Sequence, residues 1–105
     1  MLVTITNEQK VELVLAPLTA AGNPATVDGI PTWEVTSGDA TLEVAADGLS
    51  CFLVSGAADV NSVITITADA DLGEGVTAIT DTVDLAVVAA TASSLGLTAN
   101  APVIK

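Results

Sequence analysis

The sequence predicts an all-β protein, an antiparallel β-sandwich of about seven strands, and three observations lead there. Apolar side chains recur at every second position, the period of a half-buried strand. Clusters of Gly, Pro, Asn and Asp interrupt the alternation roughly every 8–12 residues, the turn spacing of sandwiches. The apolar residues are mostly Val, Leu, Ile and Ala, with one Trp (Trp33) and one Phe (Phe52), and such branched side chains fit a pleated surface better than a helix.

Strands are expected at about 2–6, 10–16, 30–36, 40–45, 49–55, 62–70 and 76–89. The second carries Val11, Leu13 and Leu15 on one face and Lys10, Glu12 and Val14 on the other. Turns at Gly22-Asn23-Pro24 and Asp28-Gly29-Ile30-Pro31 lead into the third, where Trp33 and Val35 flank Glu34; parity turns Trp33 inward as a core residue. After Ser37-Gly38-Asp39 the fourth strand sets Leu42 and Val44 around Glu43. Ala46-Asp47-Gly48-Leu49 reads as a tight hairpin, with Asp-Gly supplying the positive φ angles of a type I′ turn. Ser62–Ala70 and Val76–Val88 form a longer hairpin closed by Asp71-Leu72-Gly73-Glu74-Gly75.

The last strand holds a conflict. Ile79, Asp81, Val83, Leu85 and Val87 share one parity, which aims Asp81 at the core. An unpaired buried carboxylate is costly, so a β-bulge or an edge position near Thr80–Thr82 is expected to re-aim it. The expected core is Trp33, Val35, Leu13, Ile64, Ile66, Val83 and Leu85. Leu13-Val14-Leu15 and Ala86-Val87-Val88 also place apolar groups on the outer face, as a homo-oligomer interface would. Residues 1–90 are expected to form the sandwich. Residues 91–105, opening with Thr91-Ala92-Ser93-Ser94, form a C-terminal tail, either a loosely held terminal strand or an arm that docks on a neighbour.

Composition narrows the chemistry. The chain has no His, Arg or Tyr and only Lys10 and Lys105 as cations, against 13 acidic residues and a net charge of −11. Such a field repels nucleic-acid phosphates and anionic membrane surfaces. Cys51 is the single cysteine, so no intrachain disulfide forms, and without His or Arg it reads as a buried inert thiol. No catalytic residues, and hence no enzyme, are expected, and no cofactor is called for. Asp69, Asp71 and Glu74 cluster in the second hairpin loop, where they are either solvated turn-forming acids or oxygen ligands for calcium; their spacing is not that of an EF-hand. The segment after Met1 lacks a basic start and a long apolar run, so it does not read as a signal peptide, and the Leu85–Ala90 stretch is far short of the ~20 apolar residues of a membrane helix.

Three runs taken in order, Gly29-Ile30-Pro31-Thr32-Trp33-Glu34-Val35, Ala46-Asp47-Gly48-Leu49-Ser50 and Val63-Ile64-Thr65-Ile66-Thr67-Ala68-Asp69-Ala70, resemble bacterial immunoglobulin-like (Big) domains. Gln9-Lys10-Val11-Glu12-Leu13 and Ala20-Ala21-Gly22-Asn23-Pro24-Ala25 are similar to that family's first long strand and its turn, so the resemblance covers roughly residues 7–90. It implies an immunoglobulin-like sandwich and contributes no catalytic residue. A stand-alone copy without an export signal is similar to those of tailed bacteriophages. The expectation is a virion-associated structural or binding module, a head or tail decoration assembled in the host cytoplasm, with capsid or tail proteins or itself as partners. The alternative is an adhesion repeat of a bacterial cell-surface protein.

Overall fold

The computed structural model describes residues 1–73 and 75–105. Seven strands run in chain order: β1 (Leu2–Thr6), β2 (Lys10–Val14), β3 (Asp28–Ser37), β4 (Thr41–Val44), β5 (Ser50–Val54), β6 (Ser62–Asp69) and β7 (Ala78–Val88). They form a four-stranded sheet ordered β1-β7-β6-β3 and a three-stranded sheet ordered β2-β5-β4. All neighbours are antiparallel except β1, which lies parallel to β7. No helix occurs among the described residues, so none is long and apolar enough to cross a membrane.

The period-2 pattern decides which side of each strand faces the other sheet. Ile5, Ile64, Ile66, Val83, Leu85 and Val87 from the larger sheet meet Cys51 and Leu53 from the smaller one in a single buried cluster. Register aligns them in cross-strand pairs: Ile64 opposes Val83, and Ile5 opposes Val87. Of the expected core, Ile64, Ile66, Val83 and Leu85 are buried, whereas Leu13, Trp33 and Val35 are half-buried against the cluster. Those three sit on strands at the margins of their sheets, β2 and β3, where one flank is open to water. Ile5, Cys51, Leu53 and Val87, also deeply buried, complete a core of small aliphatic groups.

Two turns differ from the sequence expectation. The β4–β5 connection is not a type I′ turn, because Asp47 is not at positive φ; only Gly48 is, at 69°. The Gly48 N–H donates to the Ala45 carbonyl and the Ala45 N–H to Ser50, which closes a four-residue loop of the type I kind, while the Asp47 carboxylate accepts the Leu49 N–H at 2.9 Å. Nor does β7 contain a bulge: its pairing with β6 is continuous from Ala78 to Leu85. The irregularities fall in β3 instead, around Gly29-Ile30-Pro31 and at Thr36, where a proline without an N–H is tolerated on an outer strand.

The two layers are fastened at the β4–β5 turn. Trp33 of β3 donates its indole Nε1–H to the Gly48 carbonyl at 2.8 Å. A Cβ on Gly48 would lie 2.5 Å from Ile30 Cγ2 and 2.7 Å from the Pro31 carbonyl oxygen, so the turn is seated directly against β3. Unfolding in denaturant should find Trp33→Ala destabilised by about 3 kcal/mol, the low end for a large aromatic because the ring is half-buried. Trp33→Phe, which keeps a ring and loses the hydrogen bond, should cost about 1 kcal/mol. An unchanged midpoint for Trp33→Ala would remove the fastening role.

Candidate functional site

Sheet register places the candidate site at one end of the sandwich. Beyond Asp84, β7 extends toward Ala78 past the reach of β1, and residues Ala78–Thr82 of β7 are exposed. Opposite them the smaller sheet has ended, because β2 stops at Val14 and the chain leaves through Leu15, whose N–H still donates to the Leu49 carbonyl at 2.7 Å. Residues 17–25 then form a small excursion, with Ala25 N–H bonded to the Pro17 carbonyl and Gly22-Asn23-Pro24 at its tip. The layers therefore part, leaving an open cleft of about 650 Å³. Its walls include Leu13, Leu15 and Val27 on one side and Ile66, Ile79 and Val83 on the other.

This geometry resolves the Asp81 conflict by a route other than a bulge. Asp81 keeps the parity of Val83 and Leu85 and lines the cleft, and it stays exposed because no opposing sheet covers it there. Its carboxylate accepts the Thr82 backbone N–H at 2.8 Å. The cleft was not legible as a site in the sequence; its one trace was a carboxylate at an inward position of an otherwise apolar strand.

The acidic loop after β6 is organised by its own backbone. Asp69 Oδ1 accepts the N–H groups of Asp71 (2.9 Å) and Thr77 (2.8 Å), and Asp71 Oδ1 accepts the Gly73 N–H at 2.8 Å. The Ala70 N–H to Thr77 carbonyl bond closes the loop. Asp69 and Asp71, two of the calcium candidates, thus act as loop fasteners, and Glu74 lies outside the described residues. Among the described residues no three His, Cys, Asp or Glu side chains gather as a metal site.

Cys51 faces the core, and its Sγ–H donates to the Phe52 carbonyl at 3.4 Å. Burial pushes the thiol above its ordinary value of 9.0; a hydrogen bond with the Glu43 backbone opposes that shift and the Glu43 charge adds to it. On the outer face Phe52 lies between Glu12 and Glu43, with Lys10 Nζ 4.5 Å above its ring and 2.9 Å from Glu43 Oε1. That arrangement uses one of the chain's two lysines on an exposed strand face. No family model, curated protein or solved structure matches the chain. What the site offers is an apolar, open-ended slot edged by the Asp81 carboxylate, suited to an apolar segment.

Asp69→Ala should lower stability by about 1–3 kcal/mol, because two loop N–H groups lose their acceptor; an unaltered urea midpoint would show the loop closes without it. Cys51 should resist thiol reagents until the chain unfolds. The folded chain holds the Cys51 proton more tightly than the unfolded chain, so its contribution is intact below about pH 9 and declines as pH rises past the unfolded value. Cys51→Ala should lack that alkaline decline, as melting curves across pH would reveal.

Proposed function

We infer that this chain is a non-catalytic structural or binding module with an immunoglobulin-like sandwich, serving as a decoration or accessory protein of a bacteriophage virion. The observation that carries the reading is the strand arrangement. A β2-β5-β4 layer faces a β7-β6-β3 layer, with β1 running parallel to β7 and the single Trp on β3 facing inward. In immunoglobulin sandwiches the second, fourth and fifth strands likewise share one sheet, the third, sixth and seventh share the other, and a Trp on the third packs inside. The order and spacing of the Big-like runs support the same family, and the resemblance to the copies found in tailed-phage structural proteins supports the virion setting.

The non-catalytic part is supported by chemistry. The chain has no His or Arg to activate a nucleophile, its thiol is buried and pushed toward the protonated form, and Asp69, Asp71 and Asp81 accept backbone N–H groups. A domain of this kind works by presenting surface and by holding its shape.

Mass spectrometry of purified particles from the producing host should find the protein in stoichiometric amounts relative to a capsid or tail protein. Recovery only from the cell envelope would replace the virion reading with that of a surface adhesion repeat. Turnover of any substrate by the purified chain would end the non-catalytic reading.

A further inference from the structure

We propose that residues 95–103 add as a strand to the free edge of β7 in a second copy of this chain, placing their apolar face in that copy's interlayer cleft. The arm is a strand without a sheet. Leu95, Leu97, Ala99, Ala101 and Val103 share one parity, while Gly96, Thr98, Asn100 and Pro102 occupy the other. That alternation is the pattern of a strand with one buried face. In its own chain the arm buries nothing: Leu95, Leu97, Val103 and Ile104 are 89–98% exposed. Its root is held by the Ala90 N–H donating to Asn7 Oδ1 at 2.8 Å, and beyond that point no strand forms. A compact chain of this length has a radius of gyration of about 13 Å, whereas here it is 20.5 Å with a long axis of 83 Å, because the arm leaves the body.

The recipient edge has matching features. Between Ala78 and Val83, β7 pairs only with β6, since β1 joins it at Asp84. Alternate residues of a strand direct their backbone groups to the same side. The Asp84 N–H on the β1 side donates to the Met1 carbonyl, so Ala78, Thr80 and the Thr82 carbonyl face the open edge, while the Thr82 N–H is held by the Asp81 carboxylate. An unpaired edge of this kind is a template for strand addition. At about 3.3 Å per residue the edge spans about 20 Å and the arm segment about 30 Å, so the arm is long enough to cover it. Behind the edge, Ile79 is 56% exposed and lines the cleft with Ile66 and Val83.

Charge and direction select another copy as the occupant. Residues 1–90 hold all 13 acidic residues, whereas the arm holds none and carries Lys105. Asp81 lines the cleft it would enter. The arm also departs from the Val88 end of β7, opposite the Ala78 end, and runs away from its own cleft. The inference stands on the arm and the cleft alone, whatever particle or surface carries the domain.

Sedimentation velocity of the full chain over a wide concentration range should show reversible self-association. Leu97→Asp in the arm and Ile79→Asp in the cleft should each weaken it by about tenfold to a hundredfold, the loss of one buried aliphatic side chain. Both positions are exposed within the monomer, so far-UV circular dichroism should stay unchanged. Mixing the two variants should restore one pairing, since the first keeps its cleft and the second its arm. Should Ile79→Asp fail to fold, Thr80→Pro tests the same edge, because that N–H faces away from β6. A full chain that stays monomeric, as it would with the arm folded onto its own cleft, overturns the proposal. Association indifferent to both the arm and the edge substitutions overturns it as well.

Discussion

Everything else in the fold rests on the packing of one small aliphatic interior between the two layers, and the hydrogen bond from the Trp33 indole to the Gly48 carbonyl is a directional tie across it. The interior is otherwise built of Ile, Val, Leu, Ala and Cys side chains, which fill space without directional preference. This polar contact joins β3 of the larger sheet to the β4–β5 turn of the smaller one. It requires a turn residue without a Cβ and at positive φ, and Gly48 meets both conditions. A second latch works at the other end of β4, where the buried Ser62 hydroxyl accepts the Ala40 N–H and Asp39 accepts the Ala57 N–H. Together they fasten β4, the short outer strand of the smaller sheet, at each end.

Acidity has two different uses in this molecule. Several carboxylates replace missing backbone partners: Asp47, Asp69, Asp71 and Asp81 each accept an N–H within their own loop or strand. Glu12, Asp28, Glu34, Glu43 and Asp84 lie exposed on strands, and the body is strongly negative while residues 91–105 hold no acid. Copies of such a body repel one another over about a Debye length. A neutral or basic apolar arm is the part of the chain able to approach a second body without that penalty.

The amount of structure legible in the sequence varied with the range of the interaction that determines it. Strand positions and inward parity follow from local alternation, and Ile64, Ile66, Val83 and Leu85 lie where the period places them. The turn at Asp47-Gly48 was located by composition, yet its type was not, because a four-residue loop and a two-residue loop share the same Asp-Gly signal. Asp81 marked an anomaly correctly, and of the two expected reliefs the edge position is found and the bulge is not. The relief comes from the ending of the opposite sheet, a fact about β2 some 70 residues away in the chain.

The sequence by itself determined an all-β chain of seven strands, the inward side of those with clear alternation, an aliphatic core with one indole, and a repertoire poor in reactive groups, because these are properties of single residues and near neighbours. Only the tertiary structure decided that β1 runs parallel to β7, that the layers part at the Ala78 end to leave a cleft, and that residues 91–105 extend away unpaired. Those outcomes depend on where each sheet stops relative to the other. Strand lengths and register set that, through contacts between residues far apart in sequence that no local pattern encodes.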